Sequence, residues 1–372
     1  MRAQVLEAFN TPYVLRDIPK PSPPTGKDIL VHVQAASYCH TDAVFASGAM
    51  WQDLPRVGSH EFAGVIAAMG PEVSPSLGLE IGAAVGVPGR AFHPCGGCYQ
   101  CRNNDGDPDG YGVYCTKAGN LGLSSDGGFQ EFCTVDSRQV APIPRGMTAV
   151  DTAPLMCAGL TIWNALGQAG VGLVKGGGEG KVVAISGAGG GLGHLGVQFA
   201  VKLGCRVVAI DASEAALALV QRVVESLGEL GKQRVTVVDA RKQAADAVRR
   251  AVCGEPEPAL EGEKGVDGLL VLPEAQQALE YGMKLLRDHG TCVTVSFPKE
   301  GFLIQPRDLV FRHIKMVGVL VGRNRQLRAM LNFAAEENVR AVSRTYTLEQ
   351  LNTLVDDYNH GASGKLVVDM SK

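Results

Sequence analysis

Residues 181–194 run from an apolar, strand-like segment, Val182–Ser186, through Gly187, Gly189, Gly190, Gly191 and Gly193 into a helical pattern over Leu192–Leu203. No other stretch limits the fold so strongly, because a buried strand that turns on glycines into a helix is the start of a βαβ unit. Strand-like and helix-like runs then alternate: Arg206–Asp211, Glu214–Leu227, Val235–Asp239, Gly268–Leu272, Ala275–Arg287, Thr291–Ser296 and Met316–Val321. Strands spaced by helices of this length predict a doubly wound parallel sheet, an α/β class. Glycine lets the backbone approach a pyrophosphate whose charge rests at the helix N-terminus. The spacing from Gly187 to Gly193 is one residue longer than the strict G-x-G-x-x-G pattern. Asp211 ends the next strand, where a carboxylate accepts from a ribose 2′-OH and repels a 2′-phosphate. NAD is therefore expected over NADP.

The first 150 residues have another texture. Short β-type runs, Ile29–Ala36, Gly64–Met69, Ala83–Val87 and Phe129–Val135, are divided by Gly and Pro, as in a partly open β-barrel. With 372 residues the chain exceeds the roughly 250–300 that one core sustains, so two domains are expected. A net charge of -3 gives no reason to expect nucleic acid or an anionic membrane as partner. No apolar run approaches the roughly 18 residues of a membrane span, and Glu7 and Asn10 interrupt any secretion signal. A cytoplasmic protein with reduced thiols fits its 10 cysteines better than a disulfide framework.

Six of those cysteines fall into two sets. Cys39 and Cys157, with His60, offer two thiols and an imidazole, a set that leaves the fourth tetrahedral position of a zinc ion open for substrate. Around them, Asp42 is placed to orient an imidazole through its other ring nitrogen, Glu61 to adjust the local field, and Thr41 to relay a proton from an alcohol. Cys95, Cys98, Cys101 and Cys115 supply four thiolates and no vacancy, a structural zinc set; solvated Gly96, Gly97, Gln100 and Arg102 between the sulfurs argue against core packing.

These residues resemble the zinc-dependent alcohol dehydrogenases of the medium-chain dehydrogenase/reductase superfamily, particularly their microbial tetrameric branch. The resemblance runs through residues 39–42, 58–61, 95–101, Asp126–Phe129, 156–161, 185–188 and the closing Val367–Lys372. It implies a GroES-like catalytic domain over 1–155 and 323–372, with a Rossmann NAD-binding domain over 156–322. It implies two zinc ions per chain and NAD as cofactors, a small alcohol or aldehyde as substrate, and a homotetramer. It places His40 near the cofactor phosphates, Thr161 at the nicotinamide, and Trp51 and Phe92 in the pocket wall.

Three features depart from that pattern. Val44 stands where the branch often carries the histidine that ends its proton relay. The interval from Cys101 to Cys115 is longer than the resemblance implies, by about six residues. Inserts near 174–179, 228–233 and 254–264 are expected to enlarge loops. Two other readings of the residues remain: a zinc-independent quinone or enoyl reductase on the same fold, which has no need of Cys39, His60 and Cys157 together, and a non-enzymatic NAD-binding scaffold.

Overall fold

The computed structural model describes residues 1–50, 53–103, 112–254 and 262–372. These form two compact units, Met1–Leu160 with Val321–Lys372, and Thr161–Leu320. The seams differ from the expected 155/156 and 322/323. The first falls inside the helix Ala158–Gln168, which begins directly after Cys157.

The first unit is organised by the strand Asp28–Tyr38. One edge pairs with Glu61–Met69; the other pairs first with Phe132–Asp136 and then with the C-terminal strand Lys365–Asp369. One strand can serve so many partners because its pairing with Glu61–Met69 slips at Leu30/Val31 and again at Val33/Ala35, and such bulges bend and twist a sheet. Ala84–Pro88, Ala141–Pro142 and Ser343–Tyr346 complete a 7-stranded sheet, and Val14–Asp17, Arg2–Leu6 and Arg56–Val57 form a 3-stranded one. Phe45, Phe62, Phe129, Ile29 and Leu6 fill the core between them. The topology has one consequence for chemistry. It lays Leu366 against Tyr38, beside Cys39, although the two lie at opposite ends of the chain.

The second unit holds a 6-stranded sheet in the order Val235–Asp239, Arg206–Asp211, Val182–Ser186, Val266–Val271, Leu286–Thr294, Lys315–Gly318, with every neighbouring pair parallel. Val182–Ser186 is buried along its whole length, as a strand covered on both faces must be. The glycines that follow answer to close packing. A Cβ on Gly193 would stand 2.1 Å from the Gly187 carbonyl oxygen, and one on Gly189 2.2 Å from that of Ala216. The expected loop at 228–233 is instead the helix Gly228–Arg234, which docks through buried Gly231. Helices Ala245–Cys253 and Pro306–Phe311 were also absent from the sequence-based expectation.

Candidate functional site

Cys39 ends the strand Asp28–Tyr38 and precedes the helix His40–Ala46. Asp42, 1% exposed, divides its carboxylate between two tasks. Oδ2 accepts from the Cys39 backbone N–H at 2.9 Å, capping the helix, and Oδ1 lies 3.0 Å from His60 Nδ1. With a carboxylate facing it, Nδ1 is the donor, which leaves Nε2 as the ring nitrogen turned to the two thiols. His60 is aimed by Ser59, whose φ of +71° is costly for a residue with a Cβ. The Ser59 hydroxyl donates to the Ser37 carbonyl at 3.1 Å. The glycines of Asp126–Phe129 close on the same turn: a Cβ on Gly127 would lie 2.0 Å from the Ser59 carbonyl oxygen.

Sγ of Cys39, a ring nitrogen of His60 and Sγ of Cys157 all lie within 4.8 Å of one another. His60 Nε2 is buried and has no hydrogen-bond partner. That is a costly state for a polar atom unless something else occupies it. A hydrogen bond from Cys157 holds the Cys39 thiol well below its ordinary pKa against the penalty of burial, with Lys365 and His60 adding to the effect. The same hydrogen bond, together with burial, raises Cys157. The two sulfurs thus share a proton whose place a cation can take, and the donor set fits a zinc ion.

Lys365 and Glu61 form a buried ion pair that the sequence reading did not anticipate. The lysine also donates to the Tyr38 carbonyl at 3.0 Å. Burial pushes Glu61 up to about 7, and Lys365 opposes that rise. Glu61 Oε2 is buried without a partner. A signal was present in the sequence, since a lone lysine opens the otherwise apolar Lys365–Val368 run. His40 is exposed, with Nδ1 2.9 Å from the Tyr358 hydroxyl. Thr41 and Val44 lie half-buried on the helix His40–Ala46.

Cys95, Cys98, Cys101 and Cys115 bring their sulfurs together within 4.8 Å. Cys115 lies 3.8 Å from Cys98 and 3.7 Å from Cys95, sulfur to sulfur. Tetrahedral Zn–S bonds of about 2.3 Å place sulfurs about 3.8 Å apart, so this set fits a closed zinc site. Of the remaining thiols, Cys133, Cys205 and Cys292 are buried and Cys253 is half-buried; burial pushes Cys205 and Cys292 up to about 12.

In the second unit, Gly187, Gly190, Gly191, Leu192, Gly193 and Asp211 line a cleft of about 290 Å³. Gly189 is turned to a different task, its N–H donating to Asp211 Oδ2 at 3.0 Å. Asp211 Oδ1 accepts from the Ala212 N–H at 2.8 Å, so the carboxylate is held at the mouth of the glycine turn. Thr161 is buried on the helix Ala158–Gln168. Phe92 stacks on His93 and lines a cleft with Met1, Ile18, Pro19 and Cys133. Trp51 and the interval 104–111 lie outside the described residues, as does most of 254–264.

Residues 25–145 match the family model for the alcohol dehydrogenase GroES-like domain, and residues 191–336 that for zinc-binding dehydrogenases. An alcohol dehydrogenase of Geobacillus stearothermophilus is 33% identical over 371 residues, 99% of each chain. One from Rhizobium meliloti (strain 1021) is 31% identical over 374 residues, covering 100% of this chain and 99% of its own. The crystal structure of the alcohol dehydrogenase from the hyperthermophilic archaeon Aeropyrum pernix is 26% identical. It superposes with a TM-score of 0.80, over 99% of this chain and 100% of that one.

Proposed function

Because the chain belongs to the zinc-type alcohol dehydrogenases of the medium-chain dehydrogenase/reductase superfamily, we propose that Cys39, His60 and Cys157 hold its catalytic zinc and that Cys95, Cys98, Cys101 and Cys115 hold a structural one. The enzyme interconverts an alcohol and an aldehyde or ketone by NAD(H)-linked hydride transfer. One observation carries the assignment: the buried, unpartnered Nε2 of His60 converges with two thiols. A zinc-independent quinone or enoyl reductase has no use for such a set.

A zinc ion in that site supplies Lewis acidity, which lowers an alcohol's pKa and polarises a carbonyl. NAD supplies the hydride acceptor. The residues do the rest. Asp42 holds the tautomer of His60, so that Nε2 presents its lone pair. Thr41 takes the proton that the substrate hydroxyl gives up, and His40 faces the cofactor phosphates. Position 44 is valine, so the proton leaves by water, the cofactor ribose or another base, or the relay is impaired. Glu61, neutralised in part by Lys365, sets the field behind the cluster. In the second unit the glycine turn receives the pyrophosphate, Asp211 the ribose 2′-OH, and Thr161 the nicotinamide.

The same reading includes a cytoplasmic homotetramer. Ten free cysteines support a reducing compartment, and no helix among the described residues is long and apolar enough to cross a membrane. Enzyme of measured zinc content, incubated with a panel of alcohols and NAD, is expected to produce NADH with at least one of them. Failure with every alcohol, and with every aldehyde in reverse, contradicts the reading.

Two further results are expected. Asp211→Ala removes the charge that excludes a 2′-phosphate, so kcat/KM should rise with NADP and fall with NAD, moving the preference by at least about tenfold. A fall with NAD and no gain with NADP would mean that Asp211 serves only to hold Gly189. Cys101→Ser should lower zinc from about two ions per chain to about one and lower Tm. Unchanged zinc content by atomic emission would contradict the four-thiolate assignment.

A further inference from the structure

His289 and His313 sit at the amino-terminal ends of the last two strands of the parallel sheet, Leu286–Thr294 and Lys315–Gly318. The glycine turn follows the carboxyl end of Val182–Ser186, so the two histidines lie at the opposite end of the sheet from the cofactor cleft. Both rings are exposed, and their Nδ1 atoms stand 3.1 Å apart. We propose that this pair is a surface site for a divalent transition-metal ion, held by two imidazole nitrogens and completed by water.

The separation is that of two ligands on one ion. Metal–nitrogen bonds of about 2.0–2.1 Å at angles between about 90° and 110° put the nitrogens about 2.9–3.4 Å apart. The ring planes are 79° apart, so the nitrogens meet without the rings stacking. The backbone holds this arrangement at some cost. His289 has a φ of +60° and His313 of +50°, in the left-handed region that side chains with a Cβ rarely adopt. The His289 N–H donates to the Arg312 carbonyl at 2.9 Å, tying the two segments together. Arg312 is the charge that opposes a cation here. Its guanidinium is engaged by Asp288 at 3.1 Å and Asp308 at 2.9 Å, which offset it and leave the imidazoles as the donors. Imidazole with water favours Ni²⁺, Cu²⁺ or Zn²⁺ over Mg²⁺ or Ca²⁺. Without an ion, one Nδ1 donates its proton to the other, and binding moves that proton to Nε2 of the same ring, leaving both Nδ1 lone pairs for the metal.

Isothermal titration of the zinc-loaded enzyme with Ni²⁺ tests the site, with His289→Asn and His313→Asn as variants. Asparagine tolerates the left-handed region, so neither change disturbs the backbone. One saturable equivalent per chain is expected, weakened at least tenfold in each variant and unchanged in His360→Asn. The absence of a saturable equivalent, or binding that both variants retain in full, overturns the proposal.

Discussion

Cys39→Ser or His60→Ala is expected to lower kcat/KM for NAD-linked alcohol oxidation by at least about 10³-fold, equivalent to roughly 4 kcal/mol of lost transition-state stabilisation. The size follows from how few donors the site has. Three side chains converge, and removing one leaves a pair that competes poorly with water for a zinc ion. The losses should differ in character. His60→Ala also strands the Asp42 oxygen that now faces Nδ1, whereas Cys39→Ser leaves that bond in place. Zinc content should fall by about one ion per chain in both, with the four-thiolate ion retained. A variant that keeps wild-type turnover at reduced zinc content would separate the metal from the reaction.

The second large effect concerns stability. Lys365→Met should destabilise the fold by about 3–5 kcal/mol, because it leaves the Glu61 carboxylate buried without its ion-pair partner. Neither partner has recourse to water: the side chains are 4% and 0% exposed. The lysine also satisfies the Tyr38 carbonyl, adding a lost hydrogen bond. Removing both charges in Glu61→Gln/Lys365→Met should recover most of the loss, since a buried ion pair returns little net energy compared with an uncharged pair. Urea unfolding midpoints measure each term. A single variant within about 1 kcal/mol of wild type would show that the pair bears no load, the range of an ordinary surface change.

Local signals carried much of this far. The strands Val182–Ser186, Arg206–Asp211 and Lys365–Asp369 have the bounds that their apolar runs suggest, because largely buried strands are continuous apolar segments. The Cys95–Cys101 spacing marks a thiolate loop without any knowledge of the fold. The misses have equally specific causes. Gly228 and Gly231 disguised the helix Gly228–Arg234: Gly228 opens it in the left-handed region, with a φ of +63°, and Gly231 packs closely against Val224 and Leu227. Pro306 opens the helix Pro306–Phe311 at a position where a missing N–H costs nothing, yet proline reads as a breaker. The Glu61–Lys365 pair spans 304 positions and depends on which strand lies beside Asp28–Tyr38, a matter of tertiary register.

Anomalous diffraction collected at the zinc absorption edge tests the central claim most directly. Two peaks per chain are expected, one among Cys95, Cys98, Cys101 and Cys115 and the other between Cys39, His60 and Cys157. A zinc-replete crystal with no peak at the second position would contradict the claim.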